Sequence, residues 1–198
     1  MNKIPVTINL GQKHILIVGG GTVGTAKYQR LRRLSDQIVV VAKDTELDGP
    51  EIHKRCFQAS DLIHAGLVIL ATGDPGLDKE IAQQCRSQNI PVDLTSDAQA
   101  SDYHLPAVIK RGELLITIST GGASPVYAKL LRQTIEDLLP DAIEDILERM
   151  NQLRLEYRRL LPDQTTRAEF YRQVLEQLIT SNNQLTREQI EGMAKEYL

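Results

Sequence analysis

The stretch "LIVGGGTVGTAKYQRL", residues 16–31, joins a short apolar run to a glycine turn and then to a helical pattern. Gly19, Gly21 and Gly24 fit the spacing G-x-G-x-x-G at this junction. The first glycine permits a tight turn, the second lets backbone amides approach a pyrophosphate, and the third lets the helix pack closely on the sheet. The stretch predicts a Rossmann-type unit that binds a dinucleotide, and a glycine turn that serves packing alone is the alternative.

Strands and helices continue to alternate after this stretch. The apolar runs at 38–42 (IVVVA) and 67–71 (LVILA) are typical of strands buried on both faces. A helix is predicted over 78–88 and a further strand over 91–94. The alternation predicts an α/β fold, a Rossmann-type doubly wound parallel sheet, which binds ligands at the carboxyl ends of its strands.

The second half of the chain has a different character. A strand over 114–119 runs into TGGASP and a helix over 125–139, and Ser124 is its predicted N-cap. Thr166 with Glu169, and Thr186 with Gln189, have the spacing of capping boxes that open two more helices. Between the helix over 125–139 and the first of these capping boxes lies a helical seam that forms either an internal core or a dimer contact. Its members are Ile143, Ile146, Met150, Leu153, Tyr157 and Leu160.

Composition limits the classes of function. The chain has 198 residues, 41% hydrophobic and 25% charged, and its net charge of −3 offers no basic excess for nucleic acid. No apolar run is long enough to span a bilayer, and the first residues lack the pattern of a signal peptide. Cys56 and Cys85 have no metal-ligand spacing. These features predict a cytoplasmic protein that binds neither nucleic acid nor a membrane.

Two strand ends supply candidate cofactor contacts. Lys43 and Asp44 follow the second strand, where an acidic residue favours NAD and a basic residue suits the 2′-phosphate of NADP, so both cofactors stay open. The strand predicted at 67–71 ends in Ala71 and Thr72, at the edge where the cofactor is expected. For the Gly-Asp pair after Thr72, a simple turn is the alternative.

The longer stretch "PVDLTSDAQASDYHLPAVIKRGELLITISTGGASPVYAKLLR", residues 91–132, is more specific than the glycine loop. With GGGTVG, VVVAKD and ATGD before it, it resembles the precorrin-2 dehydrogenase family of sirohaem synthesis over about the first 140 residues. The resemblance implies NAD-dependent oxidation of precorrin-2 to sirohydrochlorin, with ferrous-iron insertion in some members. It also implies a homodimer built from an NAD-binding domain (1–112), a dimerisation region (113–141) and a helical domain (142–198).

The same resemblance implies roles for individual residues. Thr22 and Val23 fall where the family contacts the cofactor through the glycine turn, and Lys43 and Asp44 fall on the adenosine side. Asp97 falls on the catalytic aspartate that accepts a proton, although "TSDAQ" alone reads as a turn. His104 departs from the family pattern; contact with the substrate, contact with a metal, and packing are the alternatives, and one histidine alone makes no metal site. The other candidate substrate contacts are Ser119, Thr120, Gly121, Gly122 and Ser124.

A nucleotide-sensing Rossmann module without enzyme activity is the competing interpretation. Such a module is expected to carry an acidic residue at the very end of its second strand, whereas this strand ends in Ala42 and Lys43. It also gives no reason for STGGASP or for the helical tail. The sequence predicts no metal site.

Overall fold

The computed structural model describes residues 4–198. Its contacts divide the chain between Leu105 and Pro106 into two compact units. The first domain expected from the sequence ends later, at residue 112. The strand that follows Pro106 pairs within the second unit, so the division falls before it.

The first unit holds a five-stranded parallel sheet with two helices. The strands are β1 (His14–Val18), β2 (Ile38–Val41), β3 (Ile52–His53), β4 (Ala65–Leu70) and β5 (Val92–Leu94), in the order β3-β2-β1-β4-β5. The helices are α1 (Thr22–Leu31) and α2 (Pro75–Ser87), and a 3₁₀ turn (Ala59–Leu62) precedes β4. The predicted α/β class with a parallel sheet is confirmed, while β3 was not predicted.

The sheet is buried on both faces. Leu16 and Val18 of β1 enter a core with residues of α2, whereas Ile15 and Ile17 enter a second core with Tyr28 of α1. Successive side chains of a strand point to opposite faces, so only a continuous apolar run satisfies both cores. The runs at 38–42 and 67–71 have this cause.

The second unit begins with an antiparallel hairpin of β6 (Ala107–Arg111) and β7 (Leu114–Ile118). Gly112 adopts a φ of +54° in the connection. Two residues can join only antiparallel strands, so β7 forms its own sheet with β6, a strand that sequence reasoning missed. Helix α3 (Pro125–Leu138) follows, and the Ser124 side chain caps it as predicted.

Three further helices complete this unit: α4 (Ile143–Tyr157), α5 (Gln164–Thr180) and α6 (Arg187–Ala194). The α4 seam packs on apolar residues of α5 and α6, so it is an internal core. Leu160 is 55% exposed because α4 ends before it, and its place in the seam was predicted wrongly. The capping box at Thr186 is present, whereas Asp163, and not Thr166, caps α5. Over residues 4–198, no helix has the length and apolar character needed to cross a membrane.

Candidate functional site

The glycine turn after β1 lies at the carboxyl edge of the sheet. Gly19 has a φ of +109°, and a Cβ placed on it would lie 2.1 Å from the carbonyl oxygen of Ala71. A Cβ on Gly24 would lie 2.0 Å from the carbonyl oxygen of Gly19. Both glycines are therefore required by the packing of the protein itself, whether or not a ligand binds.

Gly21 differs from these two glycines. No atom lies within 4 Å of a Cβ placed on it, and its φ of −68° suits any residue. It is the N-cap of α1, no side chain caps that end, and the first turn holds no acidic residue. Thr22 and Val23 are exposed in this first turn. The amino end of α1 thus presents backbone amides and the positive end of the helix dipole to open space, which fits a pyrophosphate.

Two threonines fix the glycine turn. The carbonyl oxygen of Gly20 accepts hydrogen bonds from Thr25 Oγ1 at 3.0 Å and from Thr45 Oγ1 at 3.3 Å. Thr45 thereby holds the loop after β2 against the turn, and the exposed Lys43 and Asp44 lie in that loop. Sequence reasoning missed both threonines, because isolated threonines carry no distinguishing pattern.

The exit of β4 lies beside the glycine turn. The amide of Ala71 donates to the carbonyl of Val18 at 2.8 Å, and Thr72 follows directly. The Asp74 side chain accepts hydrogen bonds from the amides of Gly76 and Leu77, so Asp74 is the N-cap of α2. The Gly-Asp pair therefore forms a turn that starts a helix.

Asp78 is a buried carboxylate at this edge that sequence reasoning missed. It is 1% exposed, and its Oδ1 accepts a hydrogen bond from Thr72 Oγ1 at 2.7 Å. Its Oδ2 accepts one from Ser96 Oγ at 3.4 Å. A signal was present in the sequence, because Asp78 occupies a position in the buried stripe of α2 together with Ile81 and Cys85.

Asp97 follows β5 at the same edge and is exposed. Its Oδ1 accepts hydrogen bonds from the amides of Gln99 at 3.0 Å and Ala100 at 3.1 Å, which is the turn arrangement that "TSDAQ" suggests. Within residues 4–198 no hydrogen bond reaches its Oδ2. Thr95 ties this exit to that of β4, because its amide and its hydroxyl both donate to the carbonyl of Leu70.

An ion pair joins α1 to β5 on the opposite face of the strand from α2. Lys27 Nζ lies 2.8 Å from Asp93 Oδ2, and the Asp93 side chain is 7% exposed. Nearby, Tyr103 donates its hydroxyl proton to the carbonyl of Val68, and burial raises the pKa of Tyr103. The Lys27–Asp93 ion pair anchors α1, whose amino end faces the open space at Gly21.

The STGGASP loop belongs to the second unit. Ser119 Oγ accepts a hydrogen bond from the Gly121 amide at 3.2 Å, and Thr120 Oγ1 accepts one from the Ser124 amide at 3.1 Å. Ser124 Oγ in turn accepts one from the Tyr127 amide. The three hydroxyls therefore shape the loop itself. Gly121 and Gly122 have φ values of +65° and +93°, a backbone conformation that favours glycine.

His104 is exposed at the end of the first unit. Over the part of the chain that the structure describes, no three His, Cys, Asp or Glu side chains lie together as a metal would require. His104 thus stands apart from any such cluster, and its packing or substrate role stays a prediction.

The parallel sheet, the glycine turn and the open amino end of α1 define a nucleotide-binding protein of the Rossmann class. A family model described as putative NAD(P)-binding matches residues 6–107, so the first unit is an NAD(P)-binding domain. A second model, described as the central part of sirohaem biosynthesis proteins, matches residues 111–138. The chain belongs to the NAD(P)-binding family that the first model describes, and its central segment is similar to that of sirohaem biosynthesis proteins.

The curated relatives that the chain is similar to are siroheme synthases. The chain is 32% identical over 188 residues to "Siroheme synthase" of Thioalkalivibrio sulfidiphilus, an alignment that covers 91% of the chain and 38% of the relative. The same named protein of Methylococcus capsulatus is 32% identical over 184 residues, covering 89% of the chain and 39% of the relative. The chain thus spans about two fifths of the length of these relatives.

A solved structure shares the fold. "SirC, precorrin-2 dehydrogenase" superposes with a TM-score of 0.75 at 20% sequence identity, and the match covers 98% of each chain. The fold therefore extends over nearly the whole chain, including the helical tail that matches neither family model.

Proposed function

We propose that the protein oxidises precorrin-2 to sirohydrochlorin with NAD as the hydride acceptor. The observation that carries this proposal is the order of two matches, an NAD(P)-binding domain followed directly by the central sirohaem-biosynthesis segment. The oxidation removes one hydride and one proton from the macrocycle. A bound nicotinamide would supply the acceptor for the hydride. The protein itself must bind the substrate, orient it against the cofactor, and accept the proton.

Asp97 is the proposed proton acceptor. Its Oδ1 is held by two backbone amides, which fix the carboxylate, while Oδ2 is left for a proton. It follows β5 at the edge where the dinucleotide is expected, and a carboxylate in that place suits general-base work. The turn arrangement is compatible with this role, because it engages only one of the two oxygens.

The preference for NAD over NADP rests on Asp44. This exposed side chain follows β2, in the loop that Thr45 ties to the glycine turn. A carboxylate there accepts hydrogen bonds from ribose hydroxyls and repels a 2′-phosphate. Lys43 beside it would instead favour NADP. Equal turnover with NAD and NADP would contradict the proposed preference for NAD.

We also propose that residues 113–141 form a dimerisation region. Helix α3 exposes Val126 by 79%, Tyr127 by 56% and Leu130 by 59%. Large apolar side chains grouped on one helix mark surfaces that associate. A second copy of the chain is the proposed partner. The substrate would be held in part by the backbone amide of Gly122, since the Gly121 amide donates to Ser119 Oγ. Gly121 and Gly122 together leave room for a carboxylate to approach.

The test compares two aspartates in matched turns. Asp163 caps α5 by accepting amide hydrogen bonds from the residues two and three places on, as Asp97 does in its own turn. With precorrin-2 and NAD, Asp97→Asn is expected to lower NADH formation about 100-fold or more while it still binds NADH. Asp163→Asn should keep the wild-type rate.

Two results would count against the proposal. Oxidation that survives in Asp97→Asn would remove Asp97 as the proton acceptor and leave the enzyme in place. A folded wild-type protein that binds NADH and never oxidises precorrin-2 would instead favour the nucleotide-sensing interpretation.

A further inference from the structure

We infer that Asp78 is a positioning residue whose one carboxylate holds both the loop beside the cofactor site and the loop that carries the proposed proton acceptor, Asp97. The inference rests on the proposed function. Asp78 lies in the first turn of α2 and is 1% exposed. A carboxylate buried this deeply is costly unless hydrogen bonds satisfy it. Its two oxygens contact two different loops at the carboxyl edge of the sheet.

One oxygen fixes the exit of β4. Asp78 Oδ1 accepts hydrogen bonds from the Thr72 hydroxyl at 2.7 Å and from the Thr72 amide at 3.4 Å. The Thr72 hydroxyl oxygen also accepts a hydrogen bond from the Asp74 amide at 3.1 Å. Thr72 is therefore held in one rotamer, and it follows Ala71, whose carbonyl packs against Gly19. Moving Thr72 would move the backbone beside the glycine turn.

The other oxygen fixes the exit of β5. Asp78 Oδ2 accepts a hydrogen bond from Ser96 Oγ at 3.4 Å, and Ser96 immediately precedes Asp97. Because Thr95 also binds the carbonyl of Leu70, the two exits form one connected structure. Asp78 therefore acts on the cofactor through Thr72 and on the proposed proton acceptor through Ser96.

The position of Asp78 on its helix explains how the buried charge is tolerated. It lies near the amino end of α2, where the positive end of the helix dipole stabilises an anion. The hydroxyls of Thr72 and Ser96 supply the remaining donors. Asparagine at this position would keep an acceptor for Thr72, and its amide group would donate to Ser96 Oγ. The geometry, rather than the charge, is what the site requires.

The experiment compares Asp78→Ala and Asp78→Asn with a matched control, Asp61→Ala. The Asp61 side chain is likewise largely shielded from solvent, at 7% exposed, and hydrogen-bonded, but it lies in the 3₁₀ turn that precedes β4. Each purified protein is titrated with NADH by fluorescence, and kcat and KM are measured with precorrin-2 and NAD. The NADH titration gives a readout that does not depend on turnover.

Asp78→Ala is expected to raise the NADH Kd about 10-fold and to lower kcat about 10-fold, because both loops lose their anchor. Asp78→Asn should stay within about 3-fold of the wild type in both. Asp61→Ala should lose stability with unchanged Kd and kcat. If Asp78→Ala does not fold, Thr72→Val should act mainly on the Kd and Ser96→Ala mainly on kcat, a split that general destabilisation does not produce.

The inference is overturned if folded Asp78→Ala has the Kd and kcat of the wild type, or if Asp78→Asn is as impaired as Asp78→Ala. For the single hydroxyl variants, wild-type values in both would overturn it equally. A wild-type protein that binds no NADH is a different outcome. It would overturn the proposed function, and the inference would fall with it.

Discussion

Replacing Gly21 by alanine separates the packing of the glycine turn from its ligand site. The new methyl group meets no protein atom within 4 Å, and the φ of −68° suits alanine. In contrast, the methyl of Gly24→Ala would meet the Gly19 carbonyl oxygen at 2.0 Å, so the backbone must shift. The two substitutions add the same atoms, three residues apart, and their effects should differ in kind.

The expected change in the free energy of unfolding follows from these contacts. For Gly21→Ala, alanine is the poorer N-cap by about 0.5 kcal/mol, and the smaller entropy of its unfolded chain returns a similar amount. The net change is within about 0.5 kcal/mol. For Gly24→Ala, overpacking costs about 1–3 kcal/mol and helix propensity returns about 1 kcal/mol. Gly24→Ala should therefore be the less stable variant.

Gly21→Ala should weaken NADH binding although it barely changes the free energy of unfolding. In Gly21→Ala the methyl occupies the space where the pyrophosphate approaches the amino end of α1, and we expect the NADH Kd to rise about 10-fold or more. Urea unfolding without ligand and fluorescence titration with NADH measure the two quantities independently. A stable Gly21→Ala protein that binds NADH with the wild-type Kd would refute the placement of the pyrophosphate at this helix end.

Three further predictions concern groups away from the turn. Lys27→Met leaves the Asp93 carboxylate buried without its cation, which should lower the free energy of unfolding in urea by about 2–3 kcal/mol. The loss is smaller than for a fully buried pair because Lys27 is 24% exposed, and an unchanged urea midpoint would contradict it. Burial lowers the pKa of His14 below 6.5, so the unfolded chain binds this proton more readily, and the free energy of unfolding should fall as the pH drops through about 6.5. His14→Phe should remove this pH dependence, and a variant with the same pH profile as the wild type would contradict the prediction. Burial raises the pKa of the Cys85 thiol to about 11, whereas Cys56 is exposed; a thiol reagent should therefore modify one cysteine in the folded protein and both in urea, and fast modification of Cys85 in the folded state would contradict its burial.

Strands β1, β2, β4 and β5 of the first unit could be predicted because each buries both faces. That requirement leaves a continuous apolar run, as in β2 and β4, which few other structures produce. In contrast, β3 has only two residues, and β6 ends in lysine and arginine. Neither strand therefore shows a long apolar run or a clear alternation of apolar and polar residues. Their formation depends on a neighbouring strand, which local sequence does not specify.

The candidate site was predictable where backbone geometry demands a residue type. Gly19 and Gly24 are fixed by close backbone contacts, and the G-x-G-x-x-G spacing records those contacts. Asp78 was missed because its partners, Thr72 and Ser96, lie in two separate loops that only the folded sheet brings together. The N-cap of α5 was placed at Thr166 because the capping-box pattern fits there, although Asp163 makes the hydrogen bonds.

The most direct test is to incubate the purified protein with precorrin-2 and NAD while the absorbance of NADH and of the tetrapyrrole is followed together. We predict that NADH and sirohydrochlorin appear in equal amounts and at the same rate, since one hydride leaves each macrocycle. Sirohydrochlorin that forms without NADH, or no product from a folded protein that binds NADH, would contradict the proposed oxidation.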